Sequence, residues 1–275
     1  RGTFRFHNAS LTKTAREHLD LEARLHRALA NGEFVLYYQP QFETLGGRLI
    51  GCEALVRWLS PTNGLIPPDS FIPLAEESGL IVPLGEWALR TACAQAKEWM
   101  SAGLPALTLG VNLSARQLRQ PDLVERVAAI LDQTGLPPAK LKLELTESMI
   151  MGQGEQAPDL LRSLKALGLG LSIDDFGTGY SSLARLKHLP IDELKIDRDF
   201  VRDIPRDHND MEIAATIIAM ARNLKLRVIA EGVETQAQLD FLARQGCHAC
   251  QGFFLGRPMP AKVLQRTILP FAAPS

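Results

Sequence analysis

Several stretches of the chain alternate apolar and polar residues with a period of two, the pattern of a strand that buries one face. In 107–112, Leu107, Leu109 and Val111 alternate with Thr108, Gly110 and Asn112; in 141–145, three leucines alternate with Lys142 and Glu144. Cys52, Ala54 and Val56 oppose Glu53, Leu55 and Arg57, Leu171 and Ile173 oppose Ser172 and Asp174, and Leu194 and Ile196 oppose Glu193, Lys195 and Asp197. Strands are expected at about 34–41, 50–57, 107–112, 140–145, 169–174, 192–197, 226–231 and 248–253. Most of the gaps carry helical stripes. Leu123, Val124, Val127, Ile130 and Leu131 follow Pro121 and stop at Gly135; Leu160, Leu161, Leu164 and Leu167 precede Gly168; Ala214, Ile217, Ile218 and Ala221 form a third stripe. Thr235 with Gln238 reads as a capping box opening a helix that Gly246 closes.

Strands alternating with helices imply parallel pairing, and eight of them suggest closure into a modified (β/α)8 TIM-like barrel, an α/β fold. The link through Gly46-Gly47 is too short for a parallel crossover. The first strand is therefore expected to be antiparallel to the second, as a hairpin. If the apolar faces meet the helices, the polar faces point into the barrel. Glu53, Asn112, Glu144, Asp174, Lys195 and Glu231 then all face inward near the C-terminal ends of their strands, the end where barrel enzymes build their sites.

Composition narrows the class. Of 275 residues, 46% are hydrophobic and 22% charged, as in a globular protein with a large core. A net charge of -1 argues against a broad nucleic-acid footprint, so neither DNA nor RNA is expected as a partner. No apolar run is long enough for a membrane span, and no signal-peptide pattern opens the chain. Four cysteines fit a reducing, cytoplasmic setting. The pair Cys247 and Cys250 has C-x-x-C spacing but no second pair to complete a zinc site, so buried thiols are expected. Residues 1–33 read as a lead-in, with Leu21, Leu25, Ala28 and Leu29 on one helical stripe, and 34–275 as the barrel. The chain opens on Arg1, not Met, which suggests a piece excised from a longer protein.

The candidate chemistry lies in the inward acids. Asp174 and Asp175 are adjacent, and two such carboxylates sit in water, cap a helix or share a cation. Glu53, Glu144, Asp174, Asp175 and Glu231 at one barrel mouth set five negative charges against Lys195, leaving a formal charge of -4. Two divalent ions would balance it. Oxygen donors with no histidine or cysteine favour Mg²⁺ or Mn²⁺, at the spacing of two-metal phosphoryl chemistry. The alternative is an inward salt-bridge network with Lys195, Arg57 and Lys142 as counter-charges. Asp175-Phe176-Gly177 spells a kinase metal motif, but no H-R-D loop or G-x-x-x-x-G-K accompanies it.

These residues resemble a known family. Glu53-Ala54-Leu55-Val56-Arg57-Trp58 is similar to the signature of the EAL-domain cyclic di-GMP phosphodiesterases. Tyr38-Gln39-Pro40, Val111-Asn112-Leu113-Ser114, Glu144-Leu145-Thr146-Glu147-Ser148, Asp174-Asp175-Phe176-Gly177-Thr178-Gly179-Tyr180, Lys195-Ile196-Asp197, Glu231-Gly232-Val233-Glu234-Thr235 and Gln251-Gly252-Phe253 follow in family order. The resemblance implies hydrolysis of cyclic di-GMP to linear 5′-pGpG in a barrel whose first strand is antiparallel. It makes Glu53, Asn112, Glu144 and Asp174 ligands of one metal, and Asp174, Asp175 and Glu231 ligands of the second. Lys195 would orient the attacking water and offset developing negative charge. Gln39, Leu55, Arg57, Glu234, Gln251 and Phe253 fall at substrate-side positions, with Phe71 a further candidate to pack on a base. Arg57 would meet a phosphate, or else form a salt bridge to a neighbouring acid. Glu147 would brace the loop after Asp175, or else be a plain helix-terminal charge. The stretch from Ala15 to Glu22 resembles the linker that often follows a GGDEF domain, which implies an upstream signalling domain. Family members commonly dimerise. A cyclic di-GMP receptor without turnover is the competing reading, and anchoring of a parent protein in the bacterial inner membrane stays open.

Overall fold

The computed structural model describes residues 21–105, 107–152, 154, 157–177 and 186–268. Thr178, Gly179 and Tyr180 of the aspartate motif, and residues 15–20 of the linker-like stretch, lie outside them. The strands are β1 (Phe34–Glu43), β2 (Leu49–Ser60), β3 (Gly64–Ile66), β4 (Thr108–Asn112), β5 (Leu141–Thr146), β6 (Gly170–Phe176), β7 (Glu193–Ile196), β8 (Arg227–Ala230), β9 (Ala249–Cys250) and β10 (Met259–Pro260). Helix α1 covers residues 21–30. It is followed by α2 (Ile72–Ser78), α3 (Ile81–Ser101), α4 (Ala115–Leu118), α5 (Leu123–Thr134), α6 (Glu147–Gly152), α7 (Ala157–Ala166), α8 (His208–Asn223), α9 (Gln236–Gln245) and α10 (Ala261–Ile268).

The sheet closes in the order β1-β9-β8-β7-β6-β5-β4-β2 and back to β1. β2 and β4 to β9 pair in parallel, while β1 runs antiparallel to both of its barrel neighbours. The β1–β2 turn passes through Gly46 and Gly47, with φ of 90° and 63°, a left-handed conformation that glycine adopts without the Cβ clash. β3 and β10 sit outside the ring, on β2 and β1. These strands of three and two residues are too short to show a period.

The apolar faces do meet the helices. Leu109, Leu143, Leu145, Leu171, Ile173, Leu194 and Ile196 are buried in one cluster with Ala92 and Cys93 of α3, Val127 of α5, Leu164 of α7, Ile218 of α8 and Leu242 of α9. A second cluster joins Leu25 and Ala28 of α1 to Phe34, Trp58, Phe71, Ile81 and Leu84. Helix ends obey local chemistry: Thr235 and Gln238 form the capping box of α9, and Gly135 and Gly246 close α5 and α9 in left-handed conformations. Among the described residues, no helix is long and apolar enough to cross a membrane.

Inside the ring the side chains are polar. Gln41, Lys142, Glu144, Ser172, Glu193, Lys195 and Gln251 are all buried, with Ile229 among them. The register sets this out in rows, Glu53 beside Gly110, Lys142 and Gly170, and Asn112 beside Glu144, Ser172, Glu193 and Arg227. Lys142 is bonded to Glu193, which also accepts from the Ser172 hydroxyl at 3.4 Å. Such a polar interior needs internal pairing, because each buried ion left alone costs several kcal/mol.

Candidate active site at the barrel mouth

Lys195 sits at the centre of the mouth and is fully buried. Its ammonium lies 2.6 Å from Glu144 Oε2, 2.7 Å from Glu231 Oε1, 3.1 Å from Asp174 Oδ1 and 3.4 Å from Glu53 Oε2. Glu53 also accepts from Asn112 Nδ2 at 2.6 Å and from Gln251 Nε2 at 2.7 Å. Four of these acids come from four different strand ends, so barrel closure, not local sequence, gathers them.

Asp175 reaches the mouth by another route. The strand period would turn it away from Asp174, but β6 carries a bulge opposite Lys195: Ile173 pairs with Leu194, and Phe176 with Ile196. Two residues on β6 thus oppose one on β7, which re-aims the extra side chain. Asp175 takes the left-handed backbone with φ of 52°, an uncommon conformation that clusters at functional sites. Its carboxyl pairs with Asp197, and its amide donates to Asp174 Oδ1 at 3.0 Å. Gly177 follows, and its N–H donates to Glu147 Oε2 at 3.5 Å. Glu147 is buried in the first turn of α6, so a bond to the loop and a helix-terminal position coexist.

The electrostatics are those of crowded anions around one cation. Burial pushes Glu144 up to about 8, only partly offset by Lys195. Burial, then the charge of Asp174, raises Asp175 to about 6. Burial also holds Glu231 well above the ordinary carboxylate range. For Glu53 burial acts in the same sense, but Lys195 and the bonds from Gln251 and Asn112 outweigh it and leave its pKa lowered. Burial opposes the charge on Lys195, yet the surrounding carboxylates raise its pKa well above normal.

The residues fit hard divalent cations. Glu53, Glu144 and Asp174 offer oxygens within 4.8 Å of one another, and so do Asp174, Asp175 and Glu231, with Asp174 shared. Glu144 Oε1 is buried and, among the described residues, has no hydrogen-bond partner. It projects toward Gly110, where a Cβ would stand only 2.2 Å from it. An all-oxygen donor set of this kind suits Mg²⁺- or Mn²⁺-like ions and not thiophilic ones.

A cavity of about 460 Å³ opens beside the acids, walled by Leu55, Arg57, Asn112, Asp174 and Asp175 and, on its apolar side, by Ile72, Ile81, Leu84 and Met149. Arg57 lies over the Tyr37 ring at 5.7 Å and donates to Val56 O at 2.8 Å; among the described residues no salt bridge holds it. Gln39 is buried and donates to Gly256 O at 3.1 Å. Gln251 Nε2 donates to Gln39 Oε1 at 3.1 Å as well as to Glu53. Glu234 and Phe253 are exposed outside the walls of this cavity, and Arg257 stacks on Phe253 at 4.1 Å. Phe71 corrects an expectation: it is 0% exposed, packed between Phe34 and Trp58, and cannot meet a base. Cys247 and Cys250 are buried free thiols. Two residues escaped the sequence reading. Gly110 and Gln41 stand in the inward phase of β4 and β1, a signal that was present but gives no chemistry until the neighbours are known.

The fold and this mouth define the class: a (β/α)8-type barrel with one reversed strand and an oxygen-donor cluster for divalent cations. Comparison with known proteins narrows it. The EAL domain model matches residues 22–258, and the chain belongs to the EAL domain family. It is 47% identical over 268 residues to the bifunctional diguanylate cyclase/cyclic di-GMP phosphodiesterase MucR of Pseudomonas aeruginosa, covering 98% of this chain and 39% of MucR. It is 46% identical over 265 residues to the cyclic di-GMP phosphodiesterase NbdA of the same organism, covering 96% of this chain and 34% of NbdA. The chain thus spans little more than a third of the length of these relatives. A solved structure of the MucR phosphodiesterase in complex with c-di-GMP superposes with a TM-score of 0.87 at 48% identity, covering 89% of this chain and 99% of that one.

Proposed function

We propose that this chain is a metal-dependent phosphodiesterase that hydrolyses cyclic di-GMP to linear 5′-pGpG. The observation that carries the reading is the pair of carboxylate triads sharing Asp174 around one buried ammonium, at the edge of a cavity. Glu53, Asn112, Glu144 and Asp174 would hold one divalent ion, Mg²⁺ or Mn²⁺, and Asp174, Asp175 and Glu231 the other. When bound, the two ions would lower the pKa of a water and neutralise the phosphodiester oxygens. Lys195 keeps its proton, holds the carboxylates in place, and presents positive charge where the reacting phosphate becomes more negative. Asn112 and Gln251 fix the Glu53 carboxylate by donating to its two oxygens. Arg57 lies in the cavity wall with a planar fork of donors suited to the second phosphate. Leu55 offers an apolar contact for a base, Gln39 a nearby amide, and Glu234 and Phe253 an outer contact at the exposed edge. Glu147, through Gly177, holds the segment after Asp175 in register with the site.

Residues 34–275 would form the catalytic barrel and 1–33 its lead-in from an upstream, GGDEF-like signalling domain, with a homodimer as the working assembly. Single-turnover hydrolysis of cyclic di-GMP with Mg²⁺, with Mn²⁺ and with chelator, resolving product by chromatography, tests the reading. Metal-dependent pGpG supports it. Tight binding with no product would make the chain a receptor, and neither binding nor product would remove cyclic di-GMP as its ligand.

A further inference from the structure

We propose that Gln41 is a positioning residue, fixing the amide of Gln251 in the one orientation that donates to Glu53. The inference rests on the phosphodiesterase reading for its kinetic test alone. Gln41 is 1% exposed, two residues along β1 from Gln39 and on the same inward face. Its Nε2 donates to Gln251 Oε1 at 2.8 Å. On the other side, Gln251 Nε2 reaches two acceptors, Glu53 Oε2 at 2.7 Å and Gln39 Oε1 at 3.1 Å, and Gln39 in turn donates to Gly256 O.

A primary amide has two unlike ends, one that only donates and one that only accepts. Turned over, Gln251 would set its oxygen against an anionic carboxylate and against Gln39 Oε1, and its NH₂ against the NH₂ of Gln41. All its contacts would become repulsive together. Gln41 is thus the donor that makes the productive orientation complete, with both polar side-chain atoms of the buried Gln251 engaged. Its β1–β2 partner is Gly51, where a Cβ would come within 2.6 Å of Thr108 O and 3.1 Å of Gln41 Oε1, so the Gln41 amide lies close against that backbone. An apolar side chain would bring no polar group of its own into this space but would take the donor from the buried Gln251 Oε1, so the glutamine here has a chemical task beyond packing.

Gln41→Met keeps the length and removes the donor. Calorimetric Mn²⁺ titration of the metal-free protein should show affinity weakened about tenfold, the scale on which residues behind a metal ligand act. The Gln251 side-chain amide signal in ¹⁵N NMR should move, and kcat/KM should fall by a similar factor. In a Gln251→Met background the same change should have no further effect on any of the three, because Gln41 acts through that amide. Gln41→Asn, which keeps an amide but draws it back by one methylene, should weaken Mn²⁺ binding in the same direction and serves if the methionine variant does not fold. Unchanged Mn²⁺ affinity and an unmoved Gln251 signal would overturn the proposal, as would an equal loss with Gln251 already absent. If the parent protein turns over no cyclic di-GMP, the phosphodiesterase reading fails while the Mn²⁺ and NMR results still decide the role of Gln41.

Discussion

Gly110→Ala adds one methyl group at the point where the site has no room for it. The new Cβ would stand 2.2 Å from Glu144 Oε1 and 2.9 Å from its Cδ, both beside backbone that the barrel holds fixed. Restoring ordinary contact requires the carboxylate to retreat by roughly 1 Å. That movement withdraws it from Lys195, now at 2.6 Å, and from the oxygens of Glu53 and Asp174 with which it forms a triad. Overpacking of this kind costs about 1–3 kcal/mol. In a domain of this size it lowers Tm by roughly 2–12 °C. A displacement of about 1 Å in a positioned group costs on the order of 10²-fold in rate. Thermal unfolding, calorimetric Mn²⁺ binding and single-turnover hydrolysis measure the three effects. Gly170→Ala is the control: it lies in the same register row, two strands away, and its Cβ would meet Lys142 Cγ at 3.5 Å, an ordinary contact. Normal metal binding and turnover in Gly110→Ala, or equal damage in Gly170→Ala, would refute the assignment of that space to Glu144.

Glu53→Ala should reduce turnover by at least about 10²-fold and weaken metal binding, since it removes a carboxylate that Asn112, Gln251 and Lys195 all engage; normal hydrolysis would take Glu53 out of the site. Metal-free protein should lose stability as pH rises. With the folded pKa of Glu144 raised to about 8 and that of Asp175 to about 6, the folded state holds more protons than the unfolded one above the ordinary carboxylate range. The slope per excess proton is about 1.4 kcal/mol per pH unit. Melting in chelator from pH 5 to 9 should therefore show Tm falling up to about pH 8, and the Tm gain on adding Mn²⁺ growing over the same range; a flat profile would contradict the crowded-anion account. Glu147→Ala should weaken Mn²⁺ binding about tenfold by freeing the Gly177 N–H, whereas unchanged affinity and kinetics would leave Glu147 a helix-terminal charge.

The barrel was legible because alternation in β2, β4, β5, β6 and β7 names both faces of each strand, and because the Gly46-Gly47 turn is too short for a crossover. The same phase placed Glu53, Asn112, Glu144, Asp174 and Lys195 on one side. Asp175 shows the limit: alternation alone turns it outward, and only the bulge opposite Lys195 brings it to the mouth. Phe71 shows another, since an aromatic near a signature motif reads alike whether it faces a cavity or the ring of Trp58. β9, expected over 248–253, is two residues long, although the Gln251 N–H still donates to Ala230 O at 2.9 Å and its carbonyl accepts from Val233 N at 3.1 Å. The orientation of an amide and the space beside a glycine depend on atoms from distant strands, so Gln41 and Gly110 carry meaning only in three dimensions.

The reversed β1 has a topological consequence. A strand that ran with its neighbours would start at the floor of the barrel; β1 starts at the top, where Phe34 pairs with Trp58 just beyond Arg57. The polypeptide therefore comes into the barrel at its catalytic end, and Leu25 and Ala28 of α1 share a buried cluster with Ile81 and Leu84. Those two residues are also walls of the cavity. The N-terminal helix and the ligand space thus draw on the same two side chains, Ile81 and Leu84, the helix for its packing cluster and the cavity for its wall.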